Sequence, residues 1–172
     1  MIQVKAVEEG GYSLTEMIVV MVVLTTVLTG ITSAFIQGSR AELHANNRFR
    51  AQLQATSALD RLRRDVHCAS LASVSGGTLS LTGCGSGDKT WCSVSVATSR
   101  YALYRKSGST CDSGGKLYTD YMPSAASFSY TASASTSLAK VHASITVNTN
   151  PAKTTDVFQL TDDIVLRNSL RG

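Results

Sequence analysis

Residues 17–36 form an unbroken run without a charged residue or a proline, close to the N-terminus. An α-helix rises about 1.5 Å per residue, so this segment is about 30 Å long as a helix, which matches the hydrocarbon core of a bilayer. Glu16 comes directly before the segment, and the pair Gly10-Gly11 precedes it by a few residues. A carboxylate at the edge of lipid is costly, so its position predicts that Glu16 has a partner.

The composition of the whole chain favours one small folded domain behind a membrane anchor. The chain has 172 residues, of which 43% are hydrophobic, too many for a disordered protein and enough for a modest core. Its net charge of +4 is mild and does not by itself indicate a nucleic-acid-binding protein.

Four cysteines follow the apolar segment, and an exported, oxidising compartment favours disulfide bonds between them. Four cysteines allow three connectivities. We favour Cys84–Cys92, which closes a short loop, together with Cys68–Cys111, which ties the end of a helix to a sheet. A metal site that includes Cys68 and His67 is not expected, because no ligand pair has zinc-like spacing.

Three interpretations of the N-terminus compete. A secretory signal peptide would be cut at the small residues 32–34, but a positive region before the apolar core is missing and Glu16 abuts that core. A plain transmembrane anchor would make Glu16 a flanking charge. The third interpretation accounts for Gly11, Tyr12 and Glu16 together.

A hydrophilic leader that ends in glycine, followed by an aromatic residue, Ser-Leu-Thr-Glu and an apolar helix, resembles the class III leader of type IV pilins and pseudopilins. The resemblance implies that a prepilin peptidase cuts between Gly11 and Tyr12 and methylates the new N-terminus at Tyr12, where the family usually has Phe. Glu16 would then be the fifth mature residue. In a filament it would pair with the N-terminal amine of Tyr12 in the neighbouring subunit, since paired charges are favoured at low dielectric.

Helical signals continue beyond the apolar segment, and the sequence predicts one helix over about residues 13–70. Its second half has apolar residues at three- and four-residue spacing, which predicts a face that packs on a globular head: Leu59, Leu62, Val66 and Ala69. The charged residues between them, including Asp65, fall elsewhere on the helix. Gly30 and Gly38 each weaken a helix interior by about 1 kcal/mol, which predicts bending or melting between them.

Hydroxyl side chains in the apolar segment are expected to bond back to helix carbonyls, which makes them tolerable in lipid: Thr25, Thr26, Thr29, Thr32 and Ser33. Six arginines give the helix a basic tendency: Arg40, Arg48, Arg50, Arg61, Arg63 and Arg64. A solvated face or salt links to other subunits explains them more simply than contact with DNA or anionic headgroups.

After residue 77 the apolar periodicity changes from that of a helix to that of strands. Strands are predicted at 78–82, in two stretches within 93–105, at 116–121, around Phe128 and Tyr130, at 140–148 and at 156–167. A long helix followed by antiparallel strands predicts an α+β fold in which the helix lies on a small sheet, the type IV pilin fold. The predicted division is a leader over 1–11, an apolar half-helix over 12–37, and the amphipathic half-helix with its head over 38–172.

Catalysis is not expected, because the chain has no Gly-x-Ser-x-Gly elbow and no glycine-rich phosphate loop. No cofactor or metal is expected either. His44, His67 and His142 are scattered and suit surface or packing positions, and the adjacent carboxylates Asp162 and Asp163 suit a solvated turn better than a calcium site.

The order of elements also resembles that of minor pilins and minor pseudopilins of the J and PilW type. The points of likeness are residues 62–66 late in the helix, 101–105 in a central strand and a last strand that ends at 165–168. The resemblance implies a filament subunit that spans the inner membrane once before assembly and later lies in an extracytoplasmic filament, in the periplasm or at the cell surface. Its implied partners are other pilin or pseudopilin subunits, the prepilin peptidase and the inner-membrane assembly platform. The alternative is a DNA-uptake pilin whose basic head binds DNA. The sequence does not distinguish a pilus, a secretion pseudopilus and a DNA-uptake filament.

Overall fold

The computed structural model describes Gly11, residues 13–151 and residues 156–169. Its first element, α1 (Leu14–Cys68), is one α-helix of 55 residues, which confirms the predicted helix to within two residues at each end. The helix runs through Gly30 and Gly38 without interruption. The expected melting between them was wrong, because a glycine costs only about 1 kcal/mol and helical turns flank each one. The chain divides into two compact units, Met1–Leu43 and His44–Gly172.

The second unit contains eight strands in the described residues: β1 (Leu71–Ser75), β2 (Thr78–Thr82), β3 (Lys89–Ala97), β4 (Arg100–Ser107), β5 (Lys116–Met122), β6 (Ser127–Thr131), β7 (Lys140–Asn148) and β8 (Val157–Val165). They form a five-stranded sheet in the order β1-β2-β3-β4-β5 and a three-stranded sheet in the order β6-β7-β8, and every pairing is antiparallel. The α+β class is therefore confirmed and is consistent with the pilin fold, with two sheets where one was expected.

Strand β1 is the element that the sequence analysis missed. It starts three residues after the helix ends and pairs with β2 through a two-residue turn, Gly76-Gly77, whose φ angles are 56° and 77°. Two positive φ values are what a type I′ hairpin turn requires, and glycine adopts them without strain. The strand has only five residues and only one of them, Ala72, is buried, so its alternation of apolar and polar residues is too short to recognise in the sequence.

The core lies between the C-terminal half of α1 and the two sheets. The predicted face is confirmed, since Leu59, Leu62, Val66 and Ala69 are at most 1% exposed. Three alanines extend this face toward the N-terminus: Ala51, Ala55 and Ala58. The sheets contribute the largest buried side chains, among them Trp91, Leu103, Met122 and Ile145.

Candidate functional site

The start of α1 contains the residues for which processing and assembly were predicted. Ser13 directly precedes the first helical residue, and its carbonyl oxygen accepts hydrogen bonds from the amides of Glu16 (3.0 Å) and Met17 (3.2 Å). The spacing Ser-x-x-Glu at this position is that of a helix capping box. Tyr12 and residues 1–10 lie outside the described residues, so the cut between Gly11 and Tyr12 and the methylation of Tyr12 stay predictions.

Glu16 lies in the first turn of α1, where the helix dipole stabilises a negative charge. Its side chain is exposed and forms no ion pair within the described part of the chain. The carboxylate is therefore accessible to a positive group from outside these residues, which is the geometry that the predicted pairing requires.

The apolar half of α1 presents its side chains on all sides. The large hydrophobic residues from Met17 to Ile36 are each at least 44% exposed. This helix is long and apolar enough to cross a membrane, with a mean hydropathy of 2.2 over its most apolar window, none of which is buried within the protein. A helix that is apolar all round needs an apolar surrounding, so a single membrane crossing is consistent with this surface.

The hydroxyl groups of this segment are bonded inside the helix, as predicted for four of the five residues. Thr25, Thr26, Thr29 and Thr32 each donate to a carbonyl three or four residues earlier, at 2.7–2.9 Å. Ser33 is the exception, since its hydroxyl oxygen accepts from Nε2 of Gln37 at 3.3 Å. These bonds lower the cost of placing hydroxyl groups in lipid.

Both disulfides differ from the pairing that the sequence analysis favoured. The bonds are Cys68–Cys84 and Cys92–Cys111, with Cα separations of 5.2 and 5.9 Å. The hairpin of β1 and β2 brings the chain back to the helix end, because Leu71 lies opposite Thr82, so Cys84 lies beside Cys68. Cys92 lies opposite Tyr104 where β3 pairs with β4. The loop after β4 folds back over these strands, and the Cys111 sulfur lies 3.9 Å from the backbone carbonyl oxygen of Tyr104.

Loss of the Cys68–Cys84 bond is expected to cost about 3 kcal/mol of unfolding free energy, because a crosslink of this span restricts the unfolded chain. The measurement is urea unfolding of Cys68→Ser/Cys84→Ser beside the wild type, both in the same mild detergent. Peptide mapping without reduction checks the connectivity itself. A wild-type digest in which Cys84 is linked to Cys92 would contradict it.

A buried ionic cluster joins the helix to the larger sheet. Asp65 is 4% exposed and accepts hydrogen bonds from Nε1 of Trp91 at 3.1 Å and from Nε and Nη2 of Arg105 at 2.5 and 3.1 Å. The hydrogen bond with Asp65 raises the pKa of Arg105 above its ordinary value. Arg61 lies 3.5 Å from the same carboxylate. The expectation that Asp65 faces away from the core was wrong, because these donors from β3 and β4 replace its hydration.

The six arginines of α1 do not form one basic face. Two of them are engaged by carboxylates, since Arg63 binds Asp162 at 2.7 Å and Arg61 lies near Asp65. Arg48 and Arg50 lie about 160° apart around the helix axis. This arrangement agrees with local salt links better than with a continuous track for DNA phosphates.

Asp162 and Asp163 lie within β8 rather than in a turn, so their expected placement was wrong. Consecutive strand residues point to opposite faces, and the two carboxylates have different partners. Asp162 binds Arg63, whereas Asp163 binds His142 at 2.6 Å and Lys140 at 3.0 Å. The described residues contain no group of three metal-ligating side chains.

Two hydrogen bonds hold the pKa of Asp163 below its ordinary value, the larger effect coming from His142 and the smaller from Lys140. A carboxyl group whose pKa is lowered by folding stabilises the protein above its unfolded pKa, about 4 for Asp, and this contribution disappears as the pH falls through the lower folded value. We therefore expect Asp163→Asn to lower the melting temperature at pH 6, by an amount that decreases as the pH is lowered below about 4. Asp88→Asn, at an exposed aspartate outside this network, is the control. A difference that persisted unchanged at pH 3 would contradict the prediction.

Comparisons of this chain with protein-family models, with curated proteins and with solved structures found no match.

Proposed function

We propose that this chain is a structural subunit of a type IV pilus or type II secretion pseudopilus, of the minor kind that primes or tips a filament. In this proposal the prepilin peptidase cuts between Gly11 and Tyr12 and methylates Tyr12. Before assembly the subunit lies in the inner membrane as a single-pass protein. The assembly platform then moves it into an extracytoplasmic filament of pilin or pseudopilin subunits.

One observation carries the proposal. A helix begins with an exposed carboxylate in its first turn, continues through more than five apolar turns, and then packs on a disulfide-bonded head without a break. This arrangement does not suit a secreted enzyme, because the apolar anchor and the helix that packs on the head are one continuous helix. A cut at residues 32–34 would fall inside α1.

The pairing of charges gives this arrangement its proposed mechanism. After cleavage the amine of Tyr12 and the carboxylate of Glu16 lie four residues apart, at the same end of the apolar helix. Each is poorly solvated in an apolar surrounding, so a subunit that brings its Glu16 to a neighbour's amine gains more than one that is out of register. The pair thus selects the position of each new subunit.

The intact mass and N-terminal sequence of the mature chain test this proposal. We expect a chain that begins at N-methylated Tyr12, and we expect the full-length precursor in cells that lack the prepilin peptidase. A mature chain that begins at Met1 or Phe35 would exclude the proposed processing.

A further inference from the structure

The end of α1 is linked to two strands of the larger sheet and to the loop that follows β2. Cys68 is covalently bonded to Cys84, which lies just after β2. Asp65 binds Trp91 of β3 and Arg105 of β4. These links combine a covalent bond with buried charge-assisted hydrogen bonds, so separating this turn from the sheet requires breaking both kinds of bond.

The same turn is also linked to the smaller sheet. Nδ1 of His67 lies 2.9 Å from the carbonyl oxygen of Val165, the last residue of β8. The side-chain amide of Asn168 donates to the carbonyl oxygen of Cys68 at 2.9 Å. We call residues 65–70, which include this turn, the fixed end.

The part of α1 over residues 44–58, here called the outer section, is attached differently. Its buried side chains are Ala51, Ala55 and Ala58, each of which brings a single methyl group to the core. Its large apolar residues, Phe49 and Leu53, are 58% and 53% exposed and do not belong to the core. Because hydrophobic stabilisation scales with buried apolar area, the outer section is held more weakly per turn than the turns that bury Leu59, Leu62 and Val66.

Within the described residues, hydrogen bonds rather than disulfides join the outer section to the strands and loops of the head. They join Nδ1 of His44 to Oδ2 of Asp156 (3.0 Å), the carbonyl oxygen of Asn47 to Oγ1 of Thr149 (2.8 Å), and Oε1 of Gln54 to Oγ1 of Thr119 (3.2 Å). Segments with few buried apolar contacts open locally at lower free energy than the rest of a domain.

We propose that the outer section separates from the sheets as a unit while the fixed end stays in place. The backbone hydrogen bonds of a helix are internal to it, so the outer section can leave the sheets without unfolding first. A short helix without tertiary packing is only marginally stable in water, so its amide hydrogen bonds then open and exchange more often than those of the packed turns. The movement gives α1 a hinge near Leu59, where the alanines give way to larger side chains. The inference does not depend on filament assembly, although a subunit that passes from a bilayer into a filament would gain an adjustable helix from it.

Hydrogen exchange of the full chain in detergent micelles, followed by mass spectrometry, tests the inference. In α1 we expect backbone amides over residues 47–58 to exchange about ten times faster than those over residues 59–67, after correction for intrinsic rates. Equal protection of the two stretches would overturn the proposal, because it would mean that the helix leaves the sheets only when the whole head unfolds.

Two variants separate opening of the outer section from fraying of the helix itself. Gln54→Cys/Thr119→Cys places two thiols on the facing positions, to be joined by a short bifunctional thiol reagent because cysteine is shorter than glutamine. Gln54→Ser/Thr119→Ser is the matched variant that cannot be crosslinked. With the crosslink mapped by peptide mass, we expect exchange over 47–58 to slow to within about threefold of that over 59–67, while the serine variant exchanges as fast as the wild type or faster. Fast exchange that persists in the crosslinked chain would assign it to fraying and overturn the proposal.

A third variant tests the hinge without a crosslink, in case the crosslink impairs folding. His44→Ala removes one contact of the outer section and is expected to speed exchange over 47–58 without affecting 59–67. An equal rise over both stretches would contradict a hinge between them.

Discussion

Replacing Glu16 with alanine is expected to abolish incorporation of the chain into a filament while leaving the head folded. The change removes the one carboxylate at the start of the apolar helix, so the neighbour's amine would remain unpaired in an apolar surrounding. Because an unpaired charge is costly there, we expect the yield of sheared filaments that contain the chain to fall by about tenfold or more. Immunoblots of filament and membrane fractions give the measurement.

The matched control for this prediction is Glu42→Ala, which removes an exposed carboxylate from the same helix outside the apolar segment. It should assemble like the wild type. Glu16→Gln keeps the size of the side chain without its charge, and we expect it to fail as Glu16→Ala does. Normal assembly of both Glu16 variants would show that the carboxylate has no role in registration. Loss of the chain from the membrane fraction would instead point to a role in insertion.

Replacing Asp65 with alanine is expected to cause a large loss of head stability. The change leaves the guanidinium of Arg105 and the indole N–H of Trp91 buried without their acceptor. Breaking a buried ion pair by removing one partner typically costs about 3–5 kcal/mol. Urea unfolding in mild detergent can be followed by fluorescence, since Trp91 is the single tryptophan of the chain and is fully buried.

Asp60→Ala is the control for this experiment. Asp60 also lies on α1 and pairs with an arginine, Arg63, but its side chain is 48% exposed. Exposed ion pairs contribute little, so we expect a loss below about 1 kcal/mol. If Asp65→Ala lowered the unfolding free energy no more than Asp60→Ala, the buried cluster would have no structural importance.

Most of the secondary structure could be predicted from local sequence patterns. The 3.6-residue periodicity located the face of Leu59, Leu62 and Val66, and alternation located β2 and β7 at their observed bounds. The stretch over 93–105 was harder, because β3 begins at Lys89 and the turn at Thr98-Ser99 has no glycine. Ser99 adopts a φ of 55° there, which sequence composition does not indicate.

The candidate assembly site is a prediction from the sequence alone, and its residues lie close together in the chain. Glycine, an aromatic residue, Glu16 and the apolar run are all visible in one short stretch of sequence. The cluster around Asp65 was missed for the opposite reason. Trp91 and Arg105 lie 26 and 40 residues further along the chain, and nothing near Asp65 distinguishes it from the solvated Asp60.

The sequence by itself determined where this chain is apolar, helical or extended, and it placed a single carboxylate at the start of the apolar helix. These properties depend on neighbours a few residues away, so periodicity and composition are enough to define them. The tertiary structure decided which cysteines pair, how the strands divide into two sheets, and that Asp65 is buried. Each of these depends on segments that are distant in sequence, and they meet only after strand register and the packing of α1 have positioned them.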